Sequence, residues 1–415
     1  MSPASSGATA SAVRARSPRD TDPRQRAFTT LLLSETVSLI GDRLVALVLV
    51  TLVYQRTGSA AWVAALMMCK AVPAVALGTL AGVVADRWPR RRIMVTANLV
   101  QGLLVLAIPS VASVSGILAV YLVMSVVNQF FLPARAATIP SLVGDNALPA
   151  ANAKFAGAFV AALALGPVLG GVLTEHLGYA AAFYVDALTF LVPALAVASV
   201  DIPHVVRHRM PTLRADSREG LALLRTDSGI RAALIGTTAA YLVIGTMSVT
   251  GVVLAQQAFH TGPTGFGLMM SSLGMGMLVG AVTIGRAGAA WRNRPLIPIG
   301  LAAAGAATLG LAFVRLLPLA LPLSLAMGVG LIATQVRATT TLQSAPPELR
   351  GRALGLNQVA TGVAQIAATV LSAWGTTSRG ATVVIAGVGG LAIIVALALR
   401  TAAQAPNRPI VEEQS

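Results

Sequence analysis

The chain has 415 residues, 55% of them hydrophobic and only 11% charged. A soluble domain usually carries about 25% charged residues, and a mean hydropathy of +0.76 also argues against a soluble protein. The net charge of +15 therefore does not mark a nucleic-acid binder, and the single cysteine, Cys69, excludes a disulfide framework or a thiolate metal site.

Residues 1–26 are rich in Ser, Ala, Pro and Arg and contain no apolar core. They read as a disordered basic tail, not a signal peptide. Apolar runs then follow one another at 28–53, 60–84, 93–112, 115–138, 151–175 and 179–200. Each is near or above the roughly 18 residues that cross a hydrocarbon core about 30 Å thick. The run from Gly178 to Val200 has Asp186 as its only charge. A long polar break at 201–229 holds His204, Arg207, His208, Arg209, Arg214, Arg218 and Arg225. Six more runs follow at 230–256, 265–288, 295–314, 316–340, 353–375 and 380–400, before a short tail at 401–415. The expected architecture is an all-α membrane protein of twelve transmembrane helices. It forms a six-helix bundle over 27–200, a linker over 201–229 and a second bundle over 230–400.

Orientation follows from the basic residues. With the N-terminus inside, 25 of the 30 Lys and Arg fall on cytoplasmic segments. The outer loops hold Arg56, Arg315 and Arg379, while Arg43 and Lys70 lie within spans. This bias predicts that both termini are cytoplasmic, in a plasma (inner) membrane. A weak internal repeat supports a parallel duplication. Leu80-Ala-Gly82 before Asp86-Arg87 lines up with Leu278-Val-Gly280 before Gly285-Arg286, and Arg135-Ala-Ala-Thr with Arg337-Ala-Thr-Thr, at offsets of 198 to 202 residues. A site between the two halves, near the bilayer midplane, is expected.

The loop after the second span reads Gly82-Val-Val-Ala-Asp86-Arg87-Trp88-Pro89-Arg90-Arg91-Arg92. It resembles the G-x-L-A-D-R-x-G-R-[RK] loop of the major facilitator superfamily, with Pro89 where glycine is usual. The resemblance implies a latch on the cytoplasmic side. Asp86 would face the start of helix 11 at Gly351-Arg352-Ala353-Leu354-Gly355 and pair with Arg135 of helix 4, while Gly82 would allow close helix approach. Helix 5 carries Gly157, then eight residues, then Gly166-Pro167-Val168-Leu169-Gly170-Gly171. This resembles the g-x8-G-P-x-x-G-G motif of drug:proton antiporters in that superfamily. Thr57-Gly58-Ser59, Phe131-Leu132-Pro133-Ala134-Arg135, Phe183 to Phe190 around Asp186, and Leu349-Arg350-Gly351-Arg352 resemble its enterobactin-exporter and macrolide-efflux branch.

Ionisable groups at membrane depth are costly and point to function. Glu35 and Asp42 are seven residues apart on helix 1 and so share a face. Either could carry a proton; with Arg43 beside them and Lys70 on helix 2, a static ion pair is the competing reading. Asp186 lies on a helix that is peripheral in this fold, so a structural role is expected there. Arg135 and Arg337 sit near helix ends, where snorkelling is also expected. Asn128 and Gln129 could hydrogen-bond cargo. Met67, Met68, Met269, Met270, Met275 and Met277 would suit an adaptable cavity or plain packing. There is no Walker loop and no histidine metal spacing, so neither an enzyme nor a cofactor is expected. Gly274-Met-Gly276 and Gly387-Val-Gly389-Gly390 read as helix packing. The chain is expected to export amphipathic small molecules (drug, antibiotic or natural product) by alternating access. A proton gradient would supply the energy, and the protein would act as a monomer in the bilayer without nucleic acid. A nutrient or lysolipid carrier, or a non-transporting scaffold or sensor, are the alternatives.

Overall fold

The computed structural model describes residues 23–144, 147–200, 227–287, 294–345, 347–378 and 380–404. Residues 201–226 of the expected linker, residues 1–22 of the basic tail and the tail from 405 onward lie outside the described residues. Helices α1 (Pro23–Thr57), α2 (Ala60–Arg87), α3 (Arg90–Ala107) and α4 (Val114–Val143) open the chain. One continuous helical stretch, Leu148–Ala198, follows and is broken at Gly178 (φ 82°, ψ 170°), a conformation that disfavours any residue with a Cβ. It is therefore two helices, α5 (148–177) and α6 (179–198). The second set is α7 (Ser228–Val253), which runs into a π-helical turn at Leu254–Ala258, then α8 (Pro263–Ala287), α9 (Leu296–Phe313), α10 (Leu317–Gln343), α11 (Pro347–Ser378) and α12 (Ala381–Gln404).

Among the described residues, ten helical stretches are long and apolar enough to cross a membrane. One is the stretch that Gly178 divides, and α2 adds a shorter apolar segment, Ala60–Ala74. That makes twelve spans, each within about five residues of its expected position at the helix ends except α11, which begins six residues early. The chain is a multi-pass membrane protein.

Strict alternation puts the start of α1 and the loops α2–α3, α4–α5, α6–α7, α8–α9 and α10–α11 at one end, called here the basic end. The two ends differ in packing. At the opposite end a single apolar core joins both sets of six, with Leu49, Val53 and Val63 alongside Val249, Val252, Leu254 and Met269. At the basic end the core splits. One cluster (Phe28, Leu31, Met94, Phe131, Ala151, Val197) belongs to α1–α6, and another (Ile230, Leu234, Ile297, Leu342, Leu399) to α7–α12. Polar contacts also tie the opposite end across the halves. Gln257 Nε2 donates to Tyr54 Oη at 2.7 Å, and the Thr264 amide donates to Glu175 Oε2 at 3.3 Å.

The larger seam between the halves is built where α5 meets α8, and a smaller one where α2 meets α11. Pro167 has no amide to give, so the carbonyl four residues earlier, on Leu163, is freed from the helical ladder. Small residues of α8 dock there. A Cβ on Gly274 would stand 2.4 Å from the Leu163 oxygen, and one on Gly267 2.5 Å from that of Pro167. Ser271, between them on the same face, accepts a hydrogen bond from the Val168 amide at 2.9 Å. The Gly274 end of the sequence's Gly-Met-Gly pair is thus a contact between halves, as helix packing predicts. Gly389 packs on Gly305 and Leu309, whereas Gly387 and Gly390 face open space.

Candidate transport cavity

Residues one helical turn apart on α1 present a polar stripe: Glu35, Ser38, Asp42 and, beside it, Arg43. The stripe walls a cavity of about 310 Å³. Lys70 from α2, Asn98 and Gln101 from α3, Tyr121, Ser125, Asn128, Gln129 and Arg135 from α4, Phe159 from α5 and Asp186 from α6 complete its lining. All six first-half helices contribute and no lining residue comes from α7–α12. A site shared between the halves was expected; this polar cavity is cut into the first half alone.

The charged groups fall into two kinds. Glu35 is buried, and its Oε2 accepts from Arg135 Nη1 at 3.1 Å. The Arg135 guanidinium also lies about 6 Å from the rings of Phe131 and Phe155, a favourable cation–π arrangement. Arg43 lies 4.7 Å over the Phe159 ring. Asp42 and Lys70, by contrast, are exposed in the cavity. Gln129 is half-buried and donates to the Ser125 carbonyl at 3.3 Å, and Asn128 is half-buried beside it. Glu35, Asp42, Arg43, Lys70, Asn128 and Gln129 are thus brought into one cavity.

The residues of the α2–α3 loop are placed differently. Arg135 pairs with Glu35; the side chain of Asp86, its expected partner, lies outside the described residues. Arg90 is buried and donates to the Ala137 carbonyl of α4 at 2.8 Å, while Arg91 donates to the Val197 and Ala198 carbonyls that end α6. Cations on the free carbonyls of a helix C-terminus are favourable. These two arginines staple the first half to itself. Arg87 is exposed, and a Cβ on Gly82 would meet nothing within 4 Å. The close approach expected at Gly82 is not seen among the described residues.

The helix 5 glycines divide in the same way. Gly157 faces open space. A Cβ on Gly166 would lie 2.5 Å from Arg43 Cβ, and one on Gly170 2.7 Å from the Leu44 carbonyl. One on Gly171 would lie 2.6 Å from the Pro263 carbonyl of α8. The motif therefore seats α5 against the turn of α1 that bears Asp42 and Arg43 on one side, and against α8 on the other.

None of the six singled-out methionines lines the cavity; Met269 and Met277 are buried, and Met124 is the one methionine in its wall. The unbranched side chains of Met269 and Met277 fill gaps between helices instead, and Met275 is exposed. Arg337 is half-buried on α10, facing a second cavity at the basic end with Arg294 and Arg400. Sequence reasoning missed Ser38, Asn98, Gln101 and Tyr121. Asn98 and Gln101, three residues apart and so on one face of an otherwise apolar helix, were a readable signal.

A family model described as "Transmembrane secretion effector" matches residues 21–413. The MFS-type transporter YfiS of Bacillus subtilis, itself uncharacterized, is 27% identical over 82% of this chain and 85% of its own. The multidrug efflux pump Tap of Mycolicibacterium fortuitum is 26% identical over 74% and 78%, and macrolide efflux protein A of Streptococcus pyogenes 24% identical over 62% and 66%. Among solved structures, a point mutant of the peptide transporter POT superposes with a TM-score of 0.72 at 15% identity, covering 92% of this chain and 98% of that one. A bacterial homolog of the human lysosomal transporter Spinster, in an inward-facing state, gives 0.68 at 12% identity, covering 92% and 96%. Twelve spans and a family match over residues 21–413 agree: the chain is a transporter of the major facilitator superfamily, in the transmembrane secretion effector family.

Proposed function

We propose that the protein is a proton-driven exporter of amphipathic small molecules. It works in the plasma membrane as a monomer, with both termini cytoplasmic. The observation that carries this reading is Asp42: a carboxylate midway along a membrane helix, exposed in a polar cavity, with the helix 5 glycine motif packed against its own turn. Moving a proton on or off Asp42 changes the charge balance with Arg43 and Lys70. Because Gly166 and Gly170 hold α5 at backbone distance from that turn, such a change reaches the α5–α8 seam directly. The cavity offers carboxylates, amides (Asn128, Gln129, Gln101) and aromatic faces (Tyr121, Phe131, Phe159). Those groups suit a cargo with an apolar body and a few polar or cationic groups. Relatives named for macrolide and multidrug efflux support export of that class of compound.

The positive-inside rule makes the basic end cytoplasmic. On that reading the structure is an inward-facing state, sealed outside by the shared core, Tyr54–Gln257 and Glu175–Thr264, and parted inside. The Asp86 latch would engage only when the inner end closes. The test is uptake of a dye or macrolide into inverted vesicles or proteoliposomes with and without a proton gradient. Transport should stop when the gradient is collapsed, and Asp42→Asn should lose proton-driven transport. An Asp42→Asn protein that still concentrates cargo against a gradient would overturn the role given to Asp42.

A further inference from the structure

The cavity reaches past the central helices to α6. There Asp186 is 1% exposed, its Oδ1 accepting from Thr189 Oγ1 at 2.9 Å and its Oδ2 without a hydrogen-bond partner. Two amides of α3 line the same cavity: Asn98, also 1% exposed and with Nδ2 likewise unpartnered, and Gln101, whose Nε2 donates to the Ala97 carbonyl. From α1, Gly41 backs directly onto the carboxyl; a Cβ there would fall 2.3 Å from Asp186 Oδ1 and 2.1 Å from Thr189 Oγ1. The next residue is Asp42, which lines the same cavity. The cavity around Asp186 thus brings Asp42 with its neighbouring cations Arg43 and Lys70, the Tyr121 phenol, two neutral amides and the Thr189 hydroxyl.

We propose that Asp186 is a second proton-binding carboxyl of this cavity, acting alongside Asp42. An ionised carboxylate at this depth, with one oxygen unsatisfied and a like charge nearby, is strongly disfavoured. An O–H bond formed at Oδ2 with a proton drawn from solvent in the cavity removes both penalties and makes a donor for a neighbouring amide oxygen. The proton returns by the same route when Asp42 changes charge. A purely structural role needs only one acceptor for Thr189, which an asparagine supplies equally well. Protonation at Asp186 stands without the antiport reading above, but its part in coupling rests on that reading.

The test is labelling of the purified wild-type protein with dicyclohexylcarbodiimide, which reacts with protonated carboxyls in apolar surroundings. Adducts are located by peptide mass spectrometry across a pH series, beside infrared difference spectra of the protonated carboxyl band. Expected is an adduct at Asp186 that falls about tenfold per pH unit beyond its midpoint. Asp186→Asn should keep the wild-type melting temperature, lose the infrared band and bind about one proton fewer per chain. No adduct at Asp186 together with an infrared band unchanged in Asp186→Asn overturns the proposal. So does an adduct blocked by sodium at constant pH, which would mark a metal-cation site. If Asp186→Asn fails to fold, labelling of the wild-type chain still decides. A pH-dependent adduct at Asp186 in a protein whose transport ignores the proton gradient would refute antiport and leave the protonation in place.

Discussion

The two halves of this transporter share a scaffold and divide the chemistry. The first half buries Glu35 and Asp186, orients Arg43 and Arg135 over aromatic rings, and opens Asp42 and Lys70 into one cavity. The second half closes backbone on backbone. A Cβ on Gly300 would lie 2.6 Å from the Gly330 carbonyl, and one on Gly276 2.0 Å from that of Leu325. One of its polar contacts is neutral, the hydrogen bond from Thr237 Oγ1 to Asn357 Oδ1 at 2.6 Å. The offset that carries Arg135 onto Arg337, 202 residues, carries Glu35 onto Thr237. At that offset the arginine is present in both halves and the acid in only one. The two halves thus share a helical frame, while the charged cavity is confined to one of them.

The sharpest way to break this comparison is to treat the two arginines alike. Arg135→Met leaves Glu35 buried without its cation, and removing one partner of a buried pair costs about 3–5 kcal/mol. The melting temperature in detergent should fall steeply. Glu35→Gln with Arg135→Met should recover most of the loss, since an uncharged pair has no such penalty. Arg337→Met should change the melting temperature little. Equal damage from both single variants would show that the second half also depends on a charge.

A smaller effect is expected at the seam, which belongs to both halves. Gly274→Leu drives a side chain into the Leu163 carbonyl of α5, and overpacking of this kind costs about 1–3 kcal/mol. Because α5 and α8 hold the halves together, transport should fall further than stability. Gly157→Leu, six residues before Leu163 but in open space, should leave both melting temperature and cargo uptake near the wild type. A Gly157 variant as damaging as the Gly274 variant would mean that the open surface around Gly157 closes elsewhere in the cycle.

Most of the architecture was legible in the sequence because a bilayer fixes it: an apolar run must be a helix, and the loops must alternate sides. Gly178 even marked the break between α5 and α6 as a run boundary. What was not legible depended on rotation about helix axes. Arg135 lies 100 residues from Glu35, and nothing in the spacing says which face of α4 meets α1. The α2–α3 loop supplied a nearer acid, Asp86, by resemblance, and the pairing was expected there. Asp186 was read as peripheral from the position of α6 in the bundle. Gly41, which lets α1 close on α6, had to be seen in place before that acid could be connected to the cavity.

The smallest expected effect tests the neutral side of the comparison. Thr237 is 2% exposed and donates to Asn357, while also reaching the Ala233 and Leu234 carbonyls of its own helix. In a membrane, removing one interhelical hydrogen bond costs about 0.6 kcal/mol on average, because the freed group finds another partner. Thr237→Val keeps the shape and loses the hydroxyl, so Asn357 should turn to a new donor and the melting temperature should drop only slightly. Thr237→Glu should sharpen the result, since it rebuilds on α7 the acid that α1 carries, with Arg337 at the matching position of α10. If the second half has kept the geometry of the first, Thr237→Glu should be rescued by Arg337 and destabilised by a further Arg337→Met. If Arg337→Met leaves the Thr237→Glu protein unchanged, the copies have diverged in the packing of α7 on α10 as well as in charge.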